Sequence, residues 1–362
     1  MKLPQGLTAW SLVSPFATAA VLAALWGGTP GGAGLALIGL ALAVAVFVSV
    51  HHAEVIAHRI GEPYGTLVLA VAVTVIEVAL IVSVMLSGAE GSRTLPRDTV
   101  YATVMIVCNG VVGLCLLAGA IRHHVMIFRV EGTSPALTVV IALTTLTLVL
   151  PTLTTTTLGP TFSPAQLVFS GVMSLVLYSI FVFVQTVRHR DYFLPVPVAS
   201  SAAERHAPPP PLTAAWSSAG LLCVALVTVV GLAKLLAPAI KVGVEAAGAP
   251  GTAVGIAIAA LVLMPETWAA VRAALRNRMQ TSLNLALGSA LATIGLTIPV
   301  VTVVSLALDL RLELGLPAKE IALLALTFLI SALTLASGRA TVLQGAVHLV
   351  LFATFVFFAV IP

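Results

Sequence analysis

Eleven apolar runs, each close to the length of a membrane-crossing helix, follow one another along this chain with short breaks between them. A hydrocarbon layer about 30 Å thick is crossed by about 20 helical residues, and within it every backbone N–H and C=O must be paired inside the protein. The runs extend from Thr8 to Trp26, Ala33 to Val50, Tyr64 to Gly88, Asp98 to Ile121, Pro135 to Leu153, Ser163 to Val187, Ala214 to Pro238, Gly251 to Arg272, Thr281 to Leu308, Ala318 to Ala336 and Ala340 to Ile361. With 59% of residues hydrophobic, 8% charged and a mean hydropathy of +1.13, too little polar surface remains to coat a soluble domain. The expected fold class is an all-α polytopic membrane protein of about 11 transmembrane helices, with the lipid bilayer as its surroundings.

Lys2 precedes the first run, so a cleavable signal is the alternative for that segment. Ten further spans follow it and no clear cleavage site ends it, which favours a membrane helix. Cys108, Cys115 and Cys223 fall in apolar spans without metal-ligand spacing and read as packing residues. Basic loops stay cytoplasmic. An inside N-terminus leaves Lys2, Arg59, Arg122, Arg129, Arg188, Arg190, Arg205, Arg272, Arg276, Arg278 and Arg339 inside, against Arg93, Arg97, Lys234, Lys241, Arg311 and Lys319 outside. The expected orientation is a cytoplasmic N-terminus and a C-terminus on the outer side. The net charge of +4 sits in short loops rather than a patch, so no nucleic-acid partner is implied.

The one long polar stretch, rich in proline and charge, divides the chain. The expected organisation is an N-terminal helix over 1–30, a first five-helix repeat over 31–187, a cytoplasmic linker over 188–213 and a second five-helix repeat over 214–362. An odd number of spans per repeat makes corresponding helices cross in opposite directions. That is the inverted-repeat layout of many secondary transporters, with the substrate site at the midplane where the halves meet.

Two carboxylates stand in the middle of spans, Glu77 and Glu266, each in the second helix of its repeat. An ionised group there costs roughly 2.5–3.5 kcal/mol even on the gentlest insertion scale, so it marks a cavity, an ion or a proton. The next helix of each repeat carries Asn-x-x-x-Gly, Asn109 to Gly113 and Asn284 to Gly288. An i, i+4 pair shares one face, so the glycine admits a neighbouring helix while the asparagine points at it. Thr74 lies one turn before Glu77, and Pro265 frees the Leu261 carbonyl beside Glu266. Carboxylate, carbonyl, hydroxyl and amide oxygens make a hard site suited to Ca²⁺ or Na⁺. Metal and protons then compete for the same oxygens, which is itself an exchange mechanism; two protons per Ca²⁺ is the expected limit. The alternative for each glutamate is a structural carboxylate paired with a cation or hydroxyl.

His348 reads as a helix-packing histidine first and a proton relay second. Ser282, Ser289 and Thr293, on the Asn284 helix, read as helix-to-helix hydroxyls, and Asp309 and Lys234 as side chains reaching the interface. The segment from His51 to Glu62 is dense in ligand-type residues but lacks the His-Glu-x-x-His zinc pattern. It reads as an amphipathic cytoplasmic lead-in to the third span, with metal sensing as the lesser reading.

His52-AEVIAHRIGEPYG-Gly65 before the Glu77 helix, Pro265-Glu266, Arg276-NRMQTSLNLALGSALATIGLTIP-Pro299 and Ser337-GRATVLQGAVHLVLF-Phe352 together resemble the bacterial ChaA-type antiporters, over nearly the whole chain. These belong to the calcium/proton exchanger family of the calcium/cation antiporter superfamily. The resemblance implies ten core helices in two inverted repeats plus an extra first helix, and exchange of Ca²⁺, Na⁺ or K⁺ against H⁺. No cofactor beyond the transported ions is implied. Carried over by position, the signature glutamates match Glu77 and Glu266, and Asn284, Gly288 and Ser289 match the helix that follows the second signature. The signature asparagine three residues before each glutamate is replaced by Thr74 and Leu263, which weakens strict calcium selectivity.

Glu77 and Glu266 are therefore the expected cation and proton ligands, supported by Thr74, Asn109, Leu261, Asn284, Ser289 and His348. A Na⁺(K⁺)/H⁺ exchanger with little Ca²⁺ activity is the runner-up. A channel is disfavoured because channels build symmetric rings from several subunits. A membrane-embedded metal-dependent enzyme would need a nucleophile or a closed metal triad at depth, and neither is present in the sequence.

Overall fold

The computed structural model describes residues 8–28, 30–61, 64–86, 91–194, 210–246 and 252–361. Its elements are α1 (Ala9–Leu25), α2 (Gly32–Ile60), α3 (Tyr64–Leu86), α4 (Leu95–Met105), α5 (Val112–His123), β1 (Met126–Ile127), α6 (Val130–Thr144), α7 (Leu150–Leu153), α8 (Pro164–Phe183), α9 (Leu212–Ala246), α10 (Thr252–Leu275), α11 (Met279–Ala307), α12 (Ala318–Ala336), β2 (Arg339–Ala340) and α13 (Val342–Val360). π-helical turns join α4 to α5 (Ile106–Val111) and α6 to α7 (Thr145–Val149), and a third extends α8 (Val184–Arg188). Nine of the described helical segments are long and apolar enough to cross a membrane, and the shorter Ala9–Leu25 and Ala70–Leu86 complete the set of eleven. The protein is an all-α, multi-pass membrane protein.

Local chemistry sets the helix ends. α8 and α13, the fifth helices of their repeats, open on the same reciprocal cap: Gln166 Oε1 accepts from Ser163 N and Gln344 Oε1 from Thr341 N, each at 2.9 Å. α2 stops at Gly61, whose φ of +78° suits glycine and whose N–H closes on Ala57 O at 2.8 Å.

The chain gathers into two compact units, Met1–Ala89 with Arg205–Gly248, and Glu90–Glu204 with Ala249–Pro362. In the first unit α2 packs along α9, with α1 and α3 against both. Arg59, near the end of α2, donates to Pro210 O, just before α9, at 3.3 Å. The first helices of the two repeats therefore run antiparallel.

The second unit repeats the relation three times. At one of its ends His123, closing α5, bonds Leu275 O at the end of α10 (3.0 Å). There Arg129 N, before α6, donates to Gln280 at the start of α11 (2.7 Å), and β1 pairs antiparallel with β2 between α12 and α13. At the other end Glu313 N donates to Arg93 O (3.1 Å) and Gly315 N to Pro160 O (2.9 Å). Hence the third helices, α4–α5 and α11, run oppositely, as do the fourth, α6–α7 and α12, and the fifth, α8 and α13. The exchange-related pairs α5 with α13 and α11 with α8 are both packed contacts, and the third helices are the two most buried spans. A duplicated chain with inverted halves must show these paired contacts.

One expectation is corrected. The His51-to-Arg59 stretch is not a lead-in to the third span but the last turns of α2, because polar side chains end an apolar run without ending a helix. His52 is fully buried there, bonding Ser11 O at 2.9 Å and Ser218 Oγ at 3.2 Å and so tying α2 to α1 and α9. Within the 188–213 segment Arg190–Phe193 forms a docked 3₁₀ turn with Phe193 buried against Phe181. Residues 195–209 of that segment lie outside the described residues.

Candidate cation and proton site

Glu77 belongs to the first unit and Glu266 to the second. Glu77 is 1% exposed on α3, whose apolar sequence has no proline and continues without a break past the carboxylate. Thr74, one turn earlier, is also buried, and its hydroxyl donates back to Ala70 O at 2.8 Å. The hydroxyl proton is thereby spent on the helix and its oxygen lone pairs are left for a ligand.

Glu266 is 5% exposed on α10, directly after the buried Pro265. Proline has no N–H to give Leu261 O, four residues back, which makes that carbonyl a potential oxygen donor on the same helix. Leu263, in the signature asparagine position, is 3% exposed and supplies no polar atom; its own carbonyl accepts from Thr267 Oγ1 at 2.7 Å. Among the described residues no cluster of three His, Cys, Asp or Glu could hold a metal; Glu62, at the end of the His51-to-Glu62 stretch, lies outside them. A cation beside either glutamate would draw on carbonyl and hydroxyl oxygens besides its carboxylate, as hard cations do.

The two Asn-x-x-x-Gly motifs part company. Asn109 lies in the Ile106–Val111 π turn, fully buried, and its Nδ2 donates to Thr327 Oγ1 on α12 at 2.9 Å. Gly113 seats α13: a Cβ there would come within 2.8 Å of His348 Cβ. Asn284 lies near the start of α11, where its amide donates to Phe193 O and accepts from Gln280 Nε2 at 2.9 Å. A Cβ on Gly288 would meet nothing within 4 Å, so the expected close approach occurs in the first motif and not in the second. Ser289 is 5% exposed on α11. His348 is fully buried on α13, with Nε2 at 3.1 Å from Thr334 Oγ1 on α12.

Sequence reasoning missed the α12 face carrying Thr327, Ser331 and Thr334. Their i, i+4, i+7 spacing was the available signal. Lys234, expected at the interface, lies 5.8 Å over the Trp26 ring.

The family model described as sodium/calcium exchanger protein matches residues 31–187 and again 217–361. Over 318 residues the chain is 48% identical to the protein named "Putative ionic transporter y4hA" of Sinorhizobium fredii, covering 88% of this chain and 86% of that one. It is 32% identical over 323 residues to the sodium-potassium/proton antiporter ChaA of Escherichia coli, covering 89% and 86%. Among solved structures, native YfkE superposes with a TM-score of 0.71 at 15% identity, over 98% of this chain and 99% of that one. The H⁺/Ca²⁺ exchanger CAX gives 0.71 at 16% identity, over 96% and 89%. At those identities the superpositions speak for the fold alone. The sequence matches across both halves carry more: the chain belongs to the sodium/calcium exchanger protein family of the calcium/cation antiporter superfamily, membrane transporters that exchange cations and are not enzymes.

Proposed function

We propose that the protein is a secondary cation/proton antiporter of the bacterial inner membrane, exporting Ca²⁺, with Na⁺ and K⁺ as further substrates, against inward-moving H⁺. The observation that carries the reading is the burial of Glu77 and Glu266 at mid-span, 1% and 5% exposed, on corresponding helices of an inverted duplication. A buried carboxylate is tolerated neutral or beside a cation, so protonation and metal binding exclude one another at its oxygens. The inward proton gradient then drives cation release by alternating access. The end of the second unit that gathers Arg122, Arg129, Arg188, Arg190, Arg272, Arg276, Arg278 and Arg339 faces the cytoplasm, since the opposite end carries four basic residues, Arg93, Arg97, Arg311 and Lys319, against these eight.

A Na⁺(K⁺)/H⁺ exchanger with little Ca²⁺ activity is the second reading. It is favoured by Thr74 and Leu263 in place of amide oxygens and by the 32% identity to a sodium-potassium/proton antiporter. Dequenching of a pH gradient in inverted vesicles, with Ca²⁺, Na⁺, K⁺ and Mg²⁺ in turn, separates the two. Glu77→Gln and Glu266→Gln keep side-chain size and lose ionisation, and each is expected to abolish exchange while inserting normally. Full activity in either variant removes that glutamate from the mechanism.

A further inference from the structure

Around one helix face the second unit buries Asn109, Ser331 and His348, which are 0%, 3% and 0% exposed, and two of their polar atoms, Asn109 Oδ1 and Ser331 Oγ, have no hydrogen-bond partner. Asn109 bonds Thr327, His348 bonds Thr334, and Ser331 lies between those two threonines on the same face of α12. At 1.5 Å of rise per residue the three hydroxyls span about 10 Å along the helix axis. The Cys108 carbonyl of the π turn lies beside the His348 ring. Beyond Thr334 the polar sequence continues, because Ser337 Oγ donates to Thr334 O at 2.7 Å at the mouth of the β1–β2 ladder, where Arg339 is exposed.

Each orphaned polar atom in a dry interior costs about 1–3 kcal/mol, and a buried water pairs with such groups when two to four of them converge. We infer that Asn109, the Thr327–Ser331–Thr334 face and His348 line a hydrated proton path opening at the arginine-rich end of the second unit. The inference rests on the antiport proposed above and adds the route by which protons reach the cytoplasmic side. Water, rather than a metal, is the occupant these groups fit. The face offers hydroxyls, one amide oxygen and an imidazole but no carboxylate, and the ionisable residues of α12, Lys319 and Glu320, lie at its opposite end. Along such a path each water accepts one proton and releases another, so one proton is carried through and no group is left changed.

The test places a thiol at the middle of the path. Ser331→Cys is made with Cys108→Ala, Cys115→Ala and Cys223→Ala, in a background first checked for exchange, and Ag⁺, small enough to follow water, is added to either face. Labelling of Arg339→Cys by a bulky impermeant reagent identifies the arginine-rich face. Ag⁺ is expected to inhibit Ser331→Cys about tenfold faster from that face than from the other. No inhibition from either face means a dry packing network and overturns the path, and equal inhibition from both overturns its opening. In parallel His348→Leu is expected to slow exchange about tenfold with cation affinity, measured without a gradient, unchanged. A wild-type rate in that variant also overturns the path. Absence of proton-coupled exchange in the wild-type protein would instead sink the antiport reading, and the Ag⁺ access would still report on the water.

Discussion

The third helices of the two repeats carry the same Asn-x-x-x-Gly and do different things with it. In the first repeat the helix widens into a π turn, Asn109 is fully buried and reaches α12, and Gly113 lets α13 close on the backbone. In the second repeat α11 stays α-helical, Asn284 ties down the Arg190–Phe193 turn near the helix start, and Gly288 faces open space. The second helices differ in the same spirit: α3 is continuous and hydroxyl-bearing beside Glu77, whereas α10 carries Pro265 and an apolar Leu263 beside Glu266. Duplication preserved the pattern of residues while the neighbours diverged. A repeated motif is therefore evidence of common architecture and not of a common role.

Glycine substitutions put the largest strain on this comparison. Gly113→Ala forces a Cβ against His348 and Leu349 and is expected to destabilise the protein by about 1–3 kcal/mol. Gly288→Ala has room, and replacing a helical glycine should stabilise by about 0.5–1 kcal/mol. Thermal unfolding in detergent should thus move in opposite directions for the two variants, and equal shifts would restore equivalence to the motifs.

A smaller effect is expected at the signature positions. Leu263→Asn adds an amide oxygen where none exists and should raise Ca²⁺ over Na⁺ preference in the vesicle assay by about tenfold, or 1.4 kcal/mol. Thr74→Asn should change it less, since a hydroxyl oxygen already stands there. The reverse order would show that Glu77, not Glu266, has the ligand-poor surroundings.

The smallest effect belongs to Asn284→Ala, which removes the bonds to Phe193 and Gln280 at a net cost of about 1 kcal/mol. Exchange should continue at near the wild-type rate. A loss of exchange in a variant that unfolds normally would return Asn284 to the cation site.

Helix number was legible because hydropathy is a property of consecutive residues: the eleven apolar runs match the eleven apolar helices. The helix-start pairs Ser163 with Gln166 and Thr341 with Gln344 went unread, although each cap is made within four residues. The continuation of α2 through His52 was not legible, since the histidine is made tolerable inside by Ser11 and Ser218, distant in sequence. The π turns were also invisible, because they depend on how one turn of backbone is accommodated against its neighbours.

Taken alone, the sequence determined an inverted, duplicated set of membrane helices with one carboxylate in each half, because periodicity and polarity are local properties that a bilayer enforces strictly. Tertiary structure decided which asparagine is buried, which glycine carries a helix crossing, and that Asn109 and His348 meet one hydroxyl face of α12. Pairing between helices depends on their rotation and distance of approach, and no run of neighbouring residues encodes either quantity.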